Sequence, residues 1–212
     1  MLHQIWLQTA KPGKINPMLE HFIQKTIPIR QLHGDQLVGA WVSEFGELNL
    51  LISLWSYADF VSYSNQMQQL NLSQVWLEHT HETEPMLEKS IHHLLIPQRP
   101  ITLSHDAGQL FDFRIYETKP FLAPTYAKQL LEVLPVREKH SNNYAIWIPA
   151  TGNTNRIFHM WPYADLNQRM NIRNQVAVES EWQLYLKKIF PMLVRQSSTL
   201  VRPIAISQSV NA

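Results

Sequence analysis

The chain has no cysteine. That removes disulfides, thiolate nucleophiles and cysteine-ligated zinc or iron–sulfur sites, and it is compatible with a reducing cytoplasm, where the protein is expected. Charge is also scarce. Asp, Glu, Lys and Arg make up 17% of the 212 residues, below a usual share of about 25%. The formal net charge is +1 with histidine neutral, so no basic face argues for nucleic acid. The shortage of charge points instead to surface covered by partner subunits, and a homodimer or higher oligomer is expected. No apolar run approaches the roughly 18 residues that would suggest a membrane span. The opening MLHQIWLQTAKPGK lacks the basic start, apolar core and small-residue cleavage site of a signal peptide. G-x-G-x-x-G, the P-loop, G-x-S-x-G and H-E-x-x-H are absent as well, so nucleotide, acyl-transfer and zinc-protease chemistry have no support. No cofactor and no metal site is expected.

What the chain does have is a repeat. Trp41 and Trp147, Trp55 and Trp161, and Trp76 and Trp182 are each 106 residues apart, so six of the seven tryptophans share one register. LWSYAD (54–59) returns as MWPYAD (160–165), IPIRQLH (27–33) as LPVREKH (134–140), and PML (85–87) as PML (191–193). A period near half the chain means one domain duplicated, not a solenoid of short units. The expected division is a unit over 1–97, a polar linker over 98–109 (QRPITLSHDAGQ) and a second unit over 110–212.

Each unit shows the same order of elements. A first strand, His3–Thr9 or Phe111–Thr118, runs into Lys-Pro, where the ladder loses a donor. Pro17 and Pro124 then open a helix. Its apolar residues recur at helical spacing, and Pro28 and Pro135 should kink or break it. Two strands follow, Leu37–Ser43 and Asn49–Tyr57, matched by Tyr144–Ile148 and Asn155–Tyr163. Gly46 and Gly152 sit in the hairpin turns between them. Asp59 and Asp165 stand where they can cap the next helix. A further helical region containing Trp76 or Trp182 leads to a last short strand at Leu94–Ile96 or Leu200–Val201. The order β-α-β-β-α-β defines an α+β fold of tandem ferredoxin-like units. Each antiparallel sheet would leave one face bare, and the two are expected to pack face to face within the chain as a dimeric α/β-barrel.

The motifs GELN (46–49) with LWSYAD (54–59), and GNTN (152–155) with MWPYAD (160–165), resemble the NIPSNAP family. The Pro-Ile/Val-Arg-x-x-His helix ends fit it too, as do EPMLEKSIHHLLIP (84–97) and FPMLVRQSSTLVRP (190–203). The resemblance covers nearly the whole chain in tandem and implies the dimeric α/β-barrel fold. It carries over no catalytic residues. In that family an Arg usually follows Trp-x-Tyr-x-Asp in the next helix. The second unit offers Arg169 and Arg173, whereas the first has no Arg between Tyr57 and Arg99. A site is therefore sought in the second unit.

Strand alternation sorts the candidates by face. In 155–163, Asn155, Ile157, His159, Trp161 and Tyr163 share one face, and Phe158 and Met160 the other. The aliphatic face is expected to meet the helices, which would leave the aromatic one in the barrel interior. Arg114 and Tyr116 join that interior from the first strand of the second unit, and Trp147 from the second. Aromatic walls with a few polar groups suit a small-molecule pocket, although aromatics can equally just fill a core. His159 is the candidate catalytic residue, because imidazole can move protons near neutrality and its counterpart in the first unit is Ser53. The ligand-binding candidates are Arg114, Tyr116, Trp147, Asn155, Trp161 and Tyr163. Arg114 replaces Trp6 and Tyr116 replaces Gln8, so the site positions differ between units where the fold positions match. His33 and His140 each follow an Arg by three residues, Arg30 and Arg137; an Arg and a His at that spacing could bind an anion, but they read rather as helix-terminating cations. His79, His81 and the His92–His93 pair read as solvated.

Two functions follow from these residues. One is a binding protein, and potentially a cofactor-free enzyme, for a small aromatic or hydrophobic ligand. The other is a non-catalytic interaction or scaffold protein whose aromatic interior is core. Fold does not choose between them.

Overall fold

The structure is a computed structural model and describes residues 1–101 and 109–205. Most of the linker expected over 98–109 lies outside the described residues.

In the first repeat, β1 (Leu2–Ala10) leads to α1 (Ile15–His21), a π-turn (Phe22–Thr26) and α2 (Ile27–Leu32). The hairpin β2 (Gln36–Phe45) and β3 (Leu50–Tyr57) follows, then α3 (Phe60–Leu72), α4 (Gln74–Thr83) and β4 (Leu87–Pro97). The second repeat gives β5 (Leu110–Thr118), α5 (Ala123–Glu138), β6 (Ala145–Pro149), β7 (Arg156–Tyr163), α6 (Leu166–Ala177), α7 (Ser180–Ile189) and β8 (Leu193–Pro203). Strand order is β4-β1-β3-β2 and β8-β5-β7-β6, the ferredoxin-like arrangement in each. The pairs β1–β3, β2–β3, β5–β7, β5–β8 and β6–β7 are antiparallel.

The packed units and the repeat divide the chain differently. One packed unit comprises Met1–Ser43, Glu47–His92 and the chain from Pro203; the other comprises Glu44–Gly46 and His93–Arg202. Leu95–Pro97, the end of β4, pairs with β6 in the second of these.

Several local expectations are met for the stated reasons. Asp59 and Asp165 accept from the N–H groups of Ser62 and Gln168, each at 2.8 Å, and so cap α3 and α6. Gly46 and Gly152 adopt φ of 101° and 76° in the hairpin turns, a region that L side chains avoid. Others are corrected. Pro135 lies inside an unbroken α5. Pro28 opens α2 directly after the π-turn, whose wider winding takes up the interruption. The last strand of each repeat has 11 residues, longer than the short strand expected, and follows α4 or α7 after a single 3₁₀ turn at Glu84–Met86 or Phe190–Met192. The register of the two repeats also shifts by one residue, from 107 over the helix end to 106 over the tryptophans. A bulge between Leu37 and Gly39 in β2 accounts for it.

The principal correction concerns the sheet face. Ile157, Trp161 and Tyr163 pack with Tyr126, Leu130 and Leu134 of α5, Val176 of α6, and Tyr185 and Ile189 of α7. The aromatic face therefore meets the helices. In the first unit Leu51, Trp55 and Tyr57 pack likewise against Met18, Phe22 and Ile27. Alternation separates two faces but cannot say which is covered by helix when both are buried. The buried arginines of the helices decide it here, because each needs a hydroxyl from the strand. Arg30 donates to Tyr57 at 2.7 Å and Arg137 to Tyr163 at 2.9 Å.

Candidate functional site

A cavity of about 310 Å³ lies between the sheet and the helices of the second unit. The strands contribute Arg114, Tyr116, His159 and Trp161 to its wall, and β8 contributes Gln196. Tyr126, Leu130 and Arg137 come from α5, Arg173 from α6, and Trp182 and Tyr185 from α7. Among the described residues no carboxylate lines it. Arg173, Phe190 and Gln196 are exposed and mark its solvent side.

His159 is 2% exposed. Its Nδ1 lies 2.7 Å from Nε1 of Trp161. An indole N–H can only donate, so Nδ1 is the acceptor and the neutral ring carries its proton on Nε2. Burial first, and then the nearby Arg114 cation, lower its pKa to about 3. The ring is therefore neutral at physiological pH. Nε2 is buried and has no hydrogen-bond partner in the structure. Ser53 takes the same register position in the first unit, opposite Trp6 as His159 is opposite Arg114, and its Oγ accepts from Trp55 Nε1 at 2.9 Å. Serine satisfies the indole and stops there. Histidine satisfies it and adds a donor on the far side of the ring.

Arg137 is 4% exposed. Its Nη2 donates to Tyr163, its guanidinium lies 4.5 Å from the centre of the Trp161 ring, and Nη1 has no partner. No carboxylate pairs with it among the described residues. Burial, reinforced by Arg114 and Arg173, lowers its pKa. The matching Arg30 is differently placed. Its Nε donates to Asp35 at 2.6 Å, its Nη2 to Gln4 and Tyr57, and its guanidinium stacks 4.0 Å from Trp55. The bulge-corrected register sets Asp35 against Asn142, which is exposed and uncharged. The second unit has kept the buried cation and lost its counterion.

Arg114 is ion-paired. Asp112, two residues away on the same face of β5, accepts from Arg114 Nη2 at 2.7 Å, Arg169 Nε at 2.9 Å and Ser198 Oγ at 2.6 Å. Burial alone would disfavour the Asp112 carboxylate, but Arg114, Ser198 and Arg169 outweigh it and its pKa lies far below the usual range. Burial likewise opposes the Arg114 cation, and Tyr116 and Asp112 more than offset it. Arg114 Nη1 donates to Tyr116 at 3.2 Å, while Nε is buried and unpartnered. Burial and the neighbouring Tyr185 hold the Tyr126 phenol well above its ordinary pKa, and burial does the same to Tyr185.

Of the residues singled out from sequence, Arg114, Tyr116, His159 and Trp161 meet at this cavity. Tyr163 stands behind Arg137 as its hydroxyl partner. Trp147 does not reach the site. It lies opposite Phe158 in the β6–β7 ladder and shares that residue's face. Asn155 is a loop organiser: its side chain accepts from Phe121 N–H at 3.0 Å and its carbonyl from Thr118 N–H at 2.8 Å. Helix-borne Tyr126, Trp182 and Tyr185 are not among the sequence candidates, and Arg137 appears there only beside His140 at a helix end. The Asp35-to-Asn142 change was the available signal for Arg137. His140 Nε2 lies in hydrogen-bond contact with Glu179 at 2.7 Å, whereas His33 does meet a helix carbonyl, that of Ile29 at 2.8 Å. His79 is buried, not solvated, with its ring centre 4.6 Å from that of His21.

Two ferredoxin-like repeats, one with a closed polar cluster and one with a lined cavity, define a duplicated α+β protein with a candidate pocket in its second unit. The NIPSNAP family profile matches residues 6–99 and 111–208, and the chain belongs to the NIPSNAP family. It is 21% identical over 218 residues to Protein NipSnap homolog 1 of Danio rerio, covering 97% of this chain and 76% of that protein. It is 22% identical over 216 residues to human Protein NipSnap homolog 2, covering 97% and 74%. Among solved structures, an anthrone oxidase-like protein superposes with a TM-score of 0.71 at 7% identity, covering 96% of this chain and 91% of that one. A proposed monooxygenase from Fusobacterium nucleatum gives 0.66 at 13% identity, covering 96% and 92%. At such identities the likeness is one of fold. Among the described residues no helix is long and apolar enough to cross a membrane.

Proposed function

We propose that the second unit binds one small molecule, and that the first unit is its structural counterpart. One observation carries this reading: three buried donors, on His159, Arg114 and Arg137, lack partners and belong to the wall of one cavity. Each unpaired buried donor costs about 1–3 kcal/mol, and a ligand bearing acceptors recovers that. The aromatic wall of Tyr126, Trp161, Trp182 and Tyr185 suits a flat body. The volume, near the lower end of a typical range of about 300–1,000 Å³, suits one or two rings. The filled-core alternative has its own support in the first unit, where Arg30 is matched by Asp35, Gln4 and Tyr57.

In this reading His159 orients a polar atom of the ligand through Nε2–H. Its low pKa makes it a weak base and leaves no imidazolium to act as an acid near neutrality. The test is a thermal-shift screen of one- and two-ring compounds bearing carbonyl, phenol or carboxyl groups. A ligand of the folded state raises the melting temperature with concentration. Hits that shift wild type but not His159→Ser support the reading. No hit at millimolar concentration contradicts it.

A further inference from the structure

The cavity carries a charge that no carboxylate among the described residues answers. Arg114 shares Asp112 with Arg169, and Arg173 is exposed. Arg137 is different. It is buried, faces the cavity, and has no carboxylate partner among the described residues. A buried cation is ordinarily retained only when paired. The first unit shows what pairing looks like at the equivalent place, where Asp35 sits 2.6 Å from Arg30 with both side chains buried. Arg137 Nη1, His159 Nε2 and Arg114 Nε are all donors, and no acceptor of opposite charge lies in the wall.

We infer that the ligand is a small aromatic carboxylate, whose single negative charge takes the place in the second unit that Asp35 holds in the first. This rests on the cavity being a ligand site. The Arg137 guanidinium calls for at least one negative charge on the ligand, since it is buried with no carboxylate partner among the described residues. A planar carboxylate matches a guanidinium edge, leaving an oxygen lone pair for the His159 donor. The ring then lies among Tyr126, Trp161 and Trp182. Two subsites of different chemistry thus select the acid: a cationic floor recognises the charge and an aromatic wall the ring.

The experiment compares acid and amide of one shape. Binding of 2-naphthoate and 2-naphthamide to the full chain is measured by titration calorimetry at pH 7.5, with wild type, Arg137→Met and His159→Ser. Serine is already tolerated at the equivalent position, where it satisfies the indole, so His159→Ser is expected to fold. The wild-type comparison needs no variant at all. The expected result is a preference for the acid of about tenfold to a hundredfold, weakened by salt. Arg137→Met should erase that preference, and His159→Ser should reduce acid affinity by about tenfold. Equal binding of acid and amide, or a preference for the amide, overturns the inference and leaves the cavity reading standing. An acid preference that survives intact in Arg137→Met overturns the assignment of the charge to Arg137. Binding of neither probe overturns both.

Discussion

Nε1 of Trp161 donates to Nδ1 of His159 at 2.7 Å, and nothing in the structure meets the opposite nitrogen of that ring. The first prediction concerns the tautomer. In a two-dimensional long-range ¹H–¹⁵N spectrum at pH 7, the His159 ring should show an unprotonated Nδ1 and a protonated Nε2, and should remain neutral to about pH 4 or below. Burial and the Arg114 cation enforce this by lowering the pKa to about 3. A ring titrating near 6.5 would contradict the buried, donor-facing geometry.

A second prediction follows by linkage. Burial lowers the pKa of His159 to about 3, and that of His3, His79 and His93 to about 4, from 6.5. Between those values and 6.5 the unfolded chain binds the protons and the folded chain does not, so stability rises with pH there. Their contribution is present in full above pH 6.5 and is lost progressively as pH falls toward 3. His159→Ser removes one such group and should flatten the acid limb by up to about 1.4 kcal/mol per pH unit. Urea unfolding of both proteins from pH 7.5 to 4 measures the slopes. Parallel slopes would mean that His159 is already protonated or exposed in the folded state.

The two matching arginines should respond differently to removal. Arg30→Met leaves Asp35 buried without a partner, which costs about 3–5 kcal/mol. Arg137→Met strands no carboxylate. It loses one bond to Tyr163 and a contact with Trp161, and it relieves the burial of an unpaired charge. A change within about 1 kcal/mol of wild type is expected there. Chemical denaturation of both variants tests the contrast, and equal losses would contradict it. Binding sites commonly give up stability in this way.

The fold was legible in the sequence because its signals are redundant. The tryptophan register, the two Asp caps and the two Gly turns point to the same duplicated unit. What local patterning could not give was the face of the sheet. Both faces of β3 and β7 are buried, so alternation had no solvent side to refer to, and the aromatic side was assigned away from the helices. His159, Arg114 and Tyr116 stand out because they differ between the repeats irrespective of face, and Trp161, matched by Trp55, lines the same cavity. Trp147, expected in the same interior, lies on the opposite face of the sheet with Phe158. Arg137 was passed over because at a helix end it reads as a cap. Its meaning depends on Asp35 having become Asn142, and a one-residue bulge in β2 hides that correspondence.

The most direct test of a ligand site in the second unit is a crystal soaked in 4-iodobenzoate, with iodine located by its anomalous signal. The account predicts one site per chain, with iodine near Tyr126, Trp161 and Trp182 and the carboxylate on Arg137 and His159 Nε2. Iodine absent from that cavity at saturating probe, or found only beside Arg30 in the first unit, would contradict it.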